Sequence, residues 1–285
     1  MSVVHCRIWS AWWLLLAGAS GCAPAPPVAP APVAVRAPLI YPAATRERMM
    51  RILEAEWREW GARVIDARRE AFDDTEGPLA EEDPAAFSKV LAYWSAVGWQ
   101  SYIDRNKTAF DAGTAVAMCT ADEKADDGRD VIWGCAPWSA AFVSFIMRTT
   151  GIDQAEFPPA AGHRNYVDAL IVAGERWGGR ATFLAHEIEL YAPVPGDMIC
   201  ADRAGGSRAL TTLAERRGEI GASRPMHCDI VAAVAPGEVT AIGGNVAQGV
   251  TAVRYATDAR GRLQRNVRRW FVVFENRIGG AMQGS

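Results

Sequence analysis

The spacing of apolar residues divides this chain into a helical front and a strand-rich back. Across residues 46–69, and again across 81–100, apolar side chains recur every three or four positions, which predicts two amphipathic helices. These positions include Met49, Ile52, Leu53, Trp57, Trp60 and Val64 in the first helix, and Val90, Leu91, Trp94 and Val97 in the second. We expect their tryptophans to pack in the core. A third helix is predicted to begin at Pro137, because proline needs no N–H partner in a first turn.

After Tyr191 the period changes to short apolar runs separated by glycine, proline and charged residues, which is typical of an antiparallel sheet. The runs span residues 198–201, 230–234, 239–242, 250–255 and 270–274. A Gly- and Arg-rich segment, 202–225, separates the first two runs and is predicted to be a long loop. Its arginines either face solvent or meet acidic groups of a peptide ligand; they are Arg203, Arg208, Arg216, Arg217 and Arg224.

The first 22 residues have the layout of a secretory signal. Arg7 precedes an apolar run, 8–18, that is too short for a comfortable bilayer span. Small residues before Cys22 resemble the cleavage box of bacterial lipoproteins, which implies that Cys22 carries a lipid; ordinary secretion is the alternative. We therefore expect a membrane-anchored lipoprotein of the bacterial cell envelope that faces the periplasm, with this lipid as its only membrane attachment.

The region after the signal divides into three predicted segments. Residues 23–45 form a tether, because their first part consists almost wholly of alanine, proline and valine and cannot pack a core. Residues 46–277 are predicted to form the folded domain, and 278–285 a tail. The net charge of −3 gives no indication of nucleic-acid binding. Since no CxxC or HxxxH spacing is present, we expect no metal and no cofactor.

Four cysteines remain outside the signal and the lipidation position: Cys119, Cys135, Cys200 and Cys228. In an oxidising compartment, four cysteines allow three pairings. If the strands that carry Cys200 and Cys228 are antiparallel neighbours, a bridge between these two is geometrically reasonable, and the other two would pair. Four buried free thiols are the alternative.

Three polar residues of the back half fit the parts of a hydrolytic site. Ser139 lies in the first turn of the third predicted helix, where free N–H groups and the helix dipole stabilise negative charge. His227 opens a predicted strand, and Asn245 lies one strand later. A nucleophile, a base and a group that orients the base are what amide hydrolysis needs. Asp229 points to the same face as His227 and is a candidate to assist.

Several motifs resemble those of a known superfamily. PWSAAFVS, which contains Ser139, resembles the helix start of the CHAP and NlpC/P60 cysteine peptidases and amidases. PVPGDMIC, HCDIVAAV and AIGGNVAQGVTAVRY resemble three of their strands. Together with the preceding helical segment YWSAVG, this combination of motifs is similar to the bacterial DUF2272 family over roughly residues 46–274. The resemblance implies a papain-like α+β fold, with a helical N-terminal part packed on a small antiparallel sheet.

The same resemblance implies hydrolysis of amide bonds in peptidoglycan peptides. By this resemblance, Ser139 is assigned the role of nucleophile, His227 that of base, and Asn245 that of the residue that orients the base. This chain departs from the superfamily by having serine in place of cysteine. A thiol ionises near pH 8.5, whereas a hydroxyl must lose its proton during attack. Two functions therefore remain: a hydrolase, or a catalytically inactive relative that binds peptidoglycan or an envelope partner. The sequence does not indicate the oligomeric state.

Four further residues are candidates to contact the substrate: Trp138, His163, Tyr166 and Asp229. Trp138 immediately precedes Ser139, and Asp229 follows His227 on the same face of a strand. His163 and Tyr166 lie together in the segment GHRNY. Either they line a cleft, or they form a polar cluster at a helix end.

Overall fold

The computed structural model describes residues 36–68, 78–81, 83–98, 137–204, 209–265 and 268–280. Helix α1 (Ala43–Glu59) buries Met49 and Leu53, as its pattern predicts. The predicted helix over 46–69 is wrong at its C-terminal end, because Gly61 and Ala62 have φ values of 90° and 54°. A helix cannot continue through such a left-handed pair. The chain turns there and enters the short strand β1 (Val64–Asp66).

The second predicted helix, 81–100, is also shorter in the structure. A 3₁₀ turn (Pro84–Ala86) leads into helix α2 (Phe87–Ser95), which buries Val90, Tyr93 and Trp94. The third predicted helix is confirmed as α3 (Ser139–Thr150), which starts two residues after Pro137. Helix α4 (His163–Trp177) follows and then leads into the sheet.

The described strands form one mixed sheet of seven strands, in the order β1-β6-β5-β4-β3-β7-β2. The pair β1–β6 is parallel and the other neighbours are antiparallel. The α+β class is confirmed, but the sheet is larger than predicted and is not purely antiparallel. The strands after β1 are β2 (Phe183–His186), β3 (Met198–Asp202), β4 (Met226–Ala235), β5 (Glu238–Val246), β6 (Gly249–Ala256) and β7 (Arg269–Asn276).

Alternation along the strands builds an apolar layer on each face of the sheet. On β3, Met198 and Cys200 join the cluster that contains the helices, while Ile199 and Ala201 join the cluster on the other face. The helical layer contains Trp60 and Trp94, which confirms that these tryptophans are core residues. Strand β4, which carries His227 and Asp229, therefore lies between two packed layers.

A disulfide joins β3 to β4. Cys200 is the register partner of Cys228, their Cα atoms are 4.2 Å apart, and the two sulfur atoms are bonded. The predicted pairing is confirmed, and for these two residues the free-thiol alternative is wrong. Cys22, Cys119 and Cys135 lie outside the described residues.

The predicted loop 202–225 contains a short helix, α5 (Leu213–Arg217), which begins with a capping box formed by Thr212 and Glu215. Arg216 is fully buried, and its guanidinium donates to both oxygens of Asp168 at 2.7 Å. Arg216 therefore neither faces solvent nor is available to bind acidic groups of a peptide ligand, and both predictions for this residue are wrong. Arg217, by contrast, is exposed, and Arg208 lies outside the described residues.

The folded part extends past both predicted boundaries. Helix α1 begins at Ala43, inside the predicted tether, and Ile278 of the predicted tail packs into the core. No helix in the described part of the chain is long and apolar enough to cross a bilayer.

Candidate active site

Ser139 is the first residue of α3, and its side chain is 3 % exposed. Trp138 precedes the helix, and its side chain makes no capping hydrogen bond to the first N–H groups of α3. The indole of Trp138 is fully buried and stacks against Trp60 and Tyr93, with ring centroids 5.3 Å away in each case. The prediction that Trp138 contacts substrate is therefore corrected: it packs the start of α3 into the core.

The hydroxyl of Ser139 meets an imidazole other than the predicted one. Ser139 Oγ lies 2.6 Å from Nε2 of His163, the first residue of α4. The other ring nitrogen of His163, Nδ1, is hydrogen-bonded to the hydroxyl of Tyr166, one helical turn further on. His163 and Tyr166, predicted either to line a cleft and contact substrate or to form a polar cluster at a helix end, thus lie at the start of α4 next to Ser139.

His227 lies on β4 and is paired with Asp229, two residues further on the same strand. His227 Nε2 is 2.7 Å from Asp229 Oδ1, and the Tyr255 hydroxyl donates to Asp229 Oδ2 at 3.0 Å. Arg268 Nε in turn donates to the Tyr255 oxygen at 3.0 Å. Asp229 therefore holds the orienting position that the sequence assigned to Asn245.

Asn245 has a different place in the structure. It sits at the irregularity of β5 with a φ of 54°, and its amide donates to the carboxylate of Glu81. Trp138 Nε1 donates to the same carboxylate. Glu81 thus ties the start of α3 to β5, and Asn245 positions the backbone rather than orienting His227. The sequence carried no signal for Glu81, because no motif or spacing relates it to these distant partners.

The two glycines before Asn245 explain how β5 comes so close to the site. A Cβ on Gly243 would lie 1.9 Å from Asp229 Oδ1, and a Cβ on Gly244 would lie 2.5 Å from the Cβ of Phe142 on α3. Any side chain at the first position would displace the carboxylate from His227. A side chain at the second would push α3 away from the sheet.

The two imidazoles lie side by side. The ring centroids of His163 and His227 are 5.4 Å apart, with the planes inclined by 61°. Among the described residues, Ser139 makes no hydrogen bond to His227. The cluster thus runs from the Ser139 hydroxyl through two neighbouring imidazoles to the Asp229 carboxylate, which are the kinds of group that nucleophilic catalysis uses.

Burial sets the charges of this cluster. It lowers the pKa of His163 well below its usual range, with the neighbouring His227 adding to the effect. Burial also lowers the pKa of His227, against the opposing charge of Asp229. For Asp229, burial alone would raise the pKa, but His227, Arg268 and Tyr255 together lower it to about 2. At neutral pH the site therefore holds a carboxylate and two neutral imidazoles.

These shifts predict that the folded protein loses stability as the pH falls below about 6.5. The unfolded chain binds protons on both histidines there, while the folded chain keeps His163 and His227 neutral. Each of them contributes a slope of up to about 1.4 kcal/mol per pH unit. Asp229 acts in the same direction at lower pH, since its stabilisation is lost between about pH 4 and 2.

Urea unfolding at a series of pH values from 8 to 5 measures this slope. In a His163→Gln variant, the unfolded chain binds one proton fewer as the pH falls. The free energy of unfolding should therefore depend less steeply on pH than in wild type. A free energy of unfolding that stays constant from pH 7 to pH 5 would show that the folded chain protonates its two buried histidines.

The fold and the cluster define the molecule as an α+β protein with a buried serine–histidine–aspartate site. The family model described as "Uncharacterized protein conserved in bacteria (DUF2272)" matches residues 81–276, and the chain belongs to this family. The matched span contains Ser139, both clustered histidines and Asp229. No curated protein and no solved structure matches the chain.

Proposed function

We propose that this chain is a hydrolase of amide bonds in bacterial peptidoglycan peptides, with a papain-like arrangement of its parts and Ser139 as nucleophile. The main support is that the Ser139 hydroxyl, at the start of a buried helix, lies in one cluster with two neutral imidazoles and a carboxylate. The order of a helix that carries the nucleophile, followed by a strand that carries histidine, supports the relation to the CHAP and NlpC/P60 superfamily.

The base in this proposal is His227. Its Nε2 faces Asp229 at 2.7 Å, and among the described residues its Nδ1 makes no hydrogen bond. An Nε2–H donated to the carboxylate leaves the lone pair of Nδ1 available. Ser139 reaches it by a change of rotamer or through one water molecule, as catalytic contacts in unliganded sites often require.

The chemical steps follow from these positions. Ser139 Oγ attacks the amide carbon and its proton passes to His227 Nδ1, so the imidazolium forms beside Asp229. The C–N bond then breaks, and the same proton goes to the leaving amine. Water repeats the sequence on the acyl-serine, which releases the acid and restores the hydroxyl.

The negative oxygen of the tetrahedral intermediate needs donors near Ser139. The first N–H groups of α3, those of Ser139 and Ala140, are not capped by the side chain of Trp138 and lie at the positive end of a 12-residue helix. They are the donors that we assign to the oxyanion.

A cell-envelope location belongs to the same proposal. The signal-like layout of residues 1–22, with Cys22 as the lipidated residue, supports a membrane-anchored protein that faces the periplasm. The disulfide between Cys200 and Cys228 is consistent with this, because such bonds persist in oxidising compartments.

One observation favours the second candidate, a catalytically inactive protein that binds peptidoglycan. The residues of the cluster are nearly inaccessible to solvent: Ser139, His163 and His227 are 3 %, 5 % and 2 % exposed. A substrate carbonyl must reach Ser139 Oγ before any attack, whereas a binding protein has no need of an accessible hydroxyl.

Digestion of purified peptidoglycan, with mass analysis of the released fragments, tests the proposal. Wild type is expected to release fragments cut at amide bonds, and Ser139→Ala to lower the rate at least about 10³-fold. Ser139→Cys should retain or raise activity, because a thiolate suits this helix start.

The other outcomes separate the two candidates. Equal inactivity of wild type and Ser139→Ala, with intact binding to peptidoglycan by both, would establish the binding protein. Activity in Ser139→Cys alone would show that the machinery persists while the native chain has lost its chemistry.

A further inference from the structure

We infer that His163 is a fixed hydrogen-bond donor to the nucleophile: its neutral imidazole donates from Nε2 to Ser139 Oγ, and Tyr166 holds it in that tautomer. The inference about the proton stands on the hydrogen bonds alone, and its catalytic consequence rests on the proposed function. It gives the two histidines separate roles, because His163 then activates and aims the hydroxyl while His227 takes its proton.

The first step concerns Tyr166. Its side chain is fully buried, and among the described residues its hydroxyl has one hydrogen-bond partner, Nδ1 of His163. Burial raises the pKa of Tyr166 well above its ordinary value, so the hydroxyl keeps its proton. A buried O–H without an acceptor loses its hydration with no replacement. The Tyr166 hydroxyl must therefore donate to Nδ1, which is then the unprotonated nitrogen.

The second step concerns the other nitrogen of His163. A neutral imidazole carries a single N–H, which must lie on Nε2 when Nδ1 accepts. Burial keeps this ring neutral by lowering its pKa. Because Nε2 lies 2.6 Å from Ser139 Oγ, the ring donates to that oxygen. The opposite tautomer would leave the Tyr166 proton without an acceptor among the described residues.

The consequence is that His163 cannot accept the proton of Ser139 in the resting state, although it is the nearest imidazole. The hydroxyl proton is instead free to turn toward His227, whose Nε2 is committed to Asp229. As that proton leaves, the N–H of His163 remains on the serine oxygen and stabilises its growing negative charge. A serine, which cannot be ionised in advance as a thiol can, gains most from such a donor.

The tautomer can be measured without any turnover. The chain contains four histidines, so long-range ¹H–¹⁵N correlation spectra of ¹⁵N-histidine-labelled protein are simple, and loss of one signal set in His163→Gln assigns His163. At neutral pH we expect His163 to carry its proton on Nε2 and none on Nδ1. In Tyr166→Phe, the hydroxyl that fixes the tautomer is gone, so the fraction of His163 with its proton on Nε2 should fall below that of wild type. A proton on Nδ1 in wild type, or on both nitrogens, would overturn the inference even if Tyr166→Phe fails to fold.

Activity on peptidoglycan gives the second readout. Glutamine can donate to Ser139 Oγ from its amide but cannot act as a base, so His163→Gln should retain more activity than His163→Leu, which offers no donor. His227→Gln should lose about 10²- to 10⁴-fold. A loss in His163→Gln as large as that in His227→Gln would make His163 the base and refute its role as a donor. If wild type proves inactive, the spectra still decide the tautomer, and only the proposed function fails.

Discussion

An Asp229→Asn substitution is expected to lower kcat on peptidoglycan by about 10⁴-fold, the size of effect seen when the carboxylate of a serine–histidine–aspartate triad becomes an amide. Asp229 Oδ1 is 2.7 Å from His227 Nε2 and keeps the imidazole proton on that nitrogen. An amide can present an N–H there instead, which drives the proton to Nδ1 and leaves no lone pair for Ser139. The loss should appear in steady-state rates, with circular dichroism used to verify the fold.

Asn245→Gly is the matched comparison, because the sequence alone assigns the orienting role to Asn245. Glycine is chosen since Asn245 has a φ of 54°, which glycine adopts without strain. The side chain of Asn245 reaches Glu81 and not His227, so activity should fall by less than about tenfold, against the 10⁴-fold expected for an orienting residue. A collapse of activity in Asn245→Gly beside a mild effect in Asp229→Asn would restore the assignment made from sequence.

An Arg216→Met substitution is expected to destabilise the protein by about 3–5 kcal/mol, the cost of breaking a buried ion pair on one side. Arg216 is fully buried, donates to both oxygens of Asp168 at 2.7 Å and pairs with Glu219 at 2.8 Å. Methionine fills similar space but leaves both carboxylates without this cation. Urea denaturation measures the change in the free energy of unfolding.

The neighbouring residue supplies the control. Arg217 is 44 % exposed and pairs with Glu175, so Arg217→Met should cost less than about 1 kcal/mol. Adding Asp168→Asn to Arg216→Met should recover part of the loss, because it removes the unpaired charge. Equal effects of the two arginine variants would mean that the interior of segment 203–225 is open to water in solution.

Much of the secondary structure follows from local pattern. Periodicity predicts the start of α3 beside Pro137 and the strands β3 to β7. Each of these elements presents several alternating or helically spaced apolar residues. Apart from α4, which was not predicted, the errors fall where the signal is short. Strand β1 has three residues and β2 has four, too few to show alternation, and the left-handed pair at Gly61 ends α1 within an unbroken apolar pattern.

The candidate site was predictable to a lesser degree. Ser139 and His227 were found because a residue at a helix start or on a strand has a defined direction within its own element. The sequence predicts Asp229 only as an assistant, although alternation places it beside His227. The partnership of Ser139 with His163 was not found, because it depends on how α4 packs against α3.

The sequence by itself determined the first three helices and the strands β3 to β7, the membership of the chain in the DUF2272 family and the neighbouring strands that bring Cys200 to Cys228. These properties follow from local periodicity, turn residues and short motifs, all of which act over a few positions. Tertiary structure alone decided which imidazole meets Ser139, which group orients His227, and that Glu81 joins α3 to β5. Such contacts join residues far apart in the chain, and their partners are chosen by the packing of whole elements, within which a shift of one residue exchanges one neighbour for another.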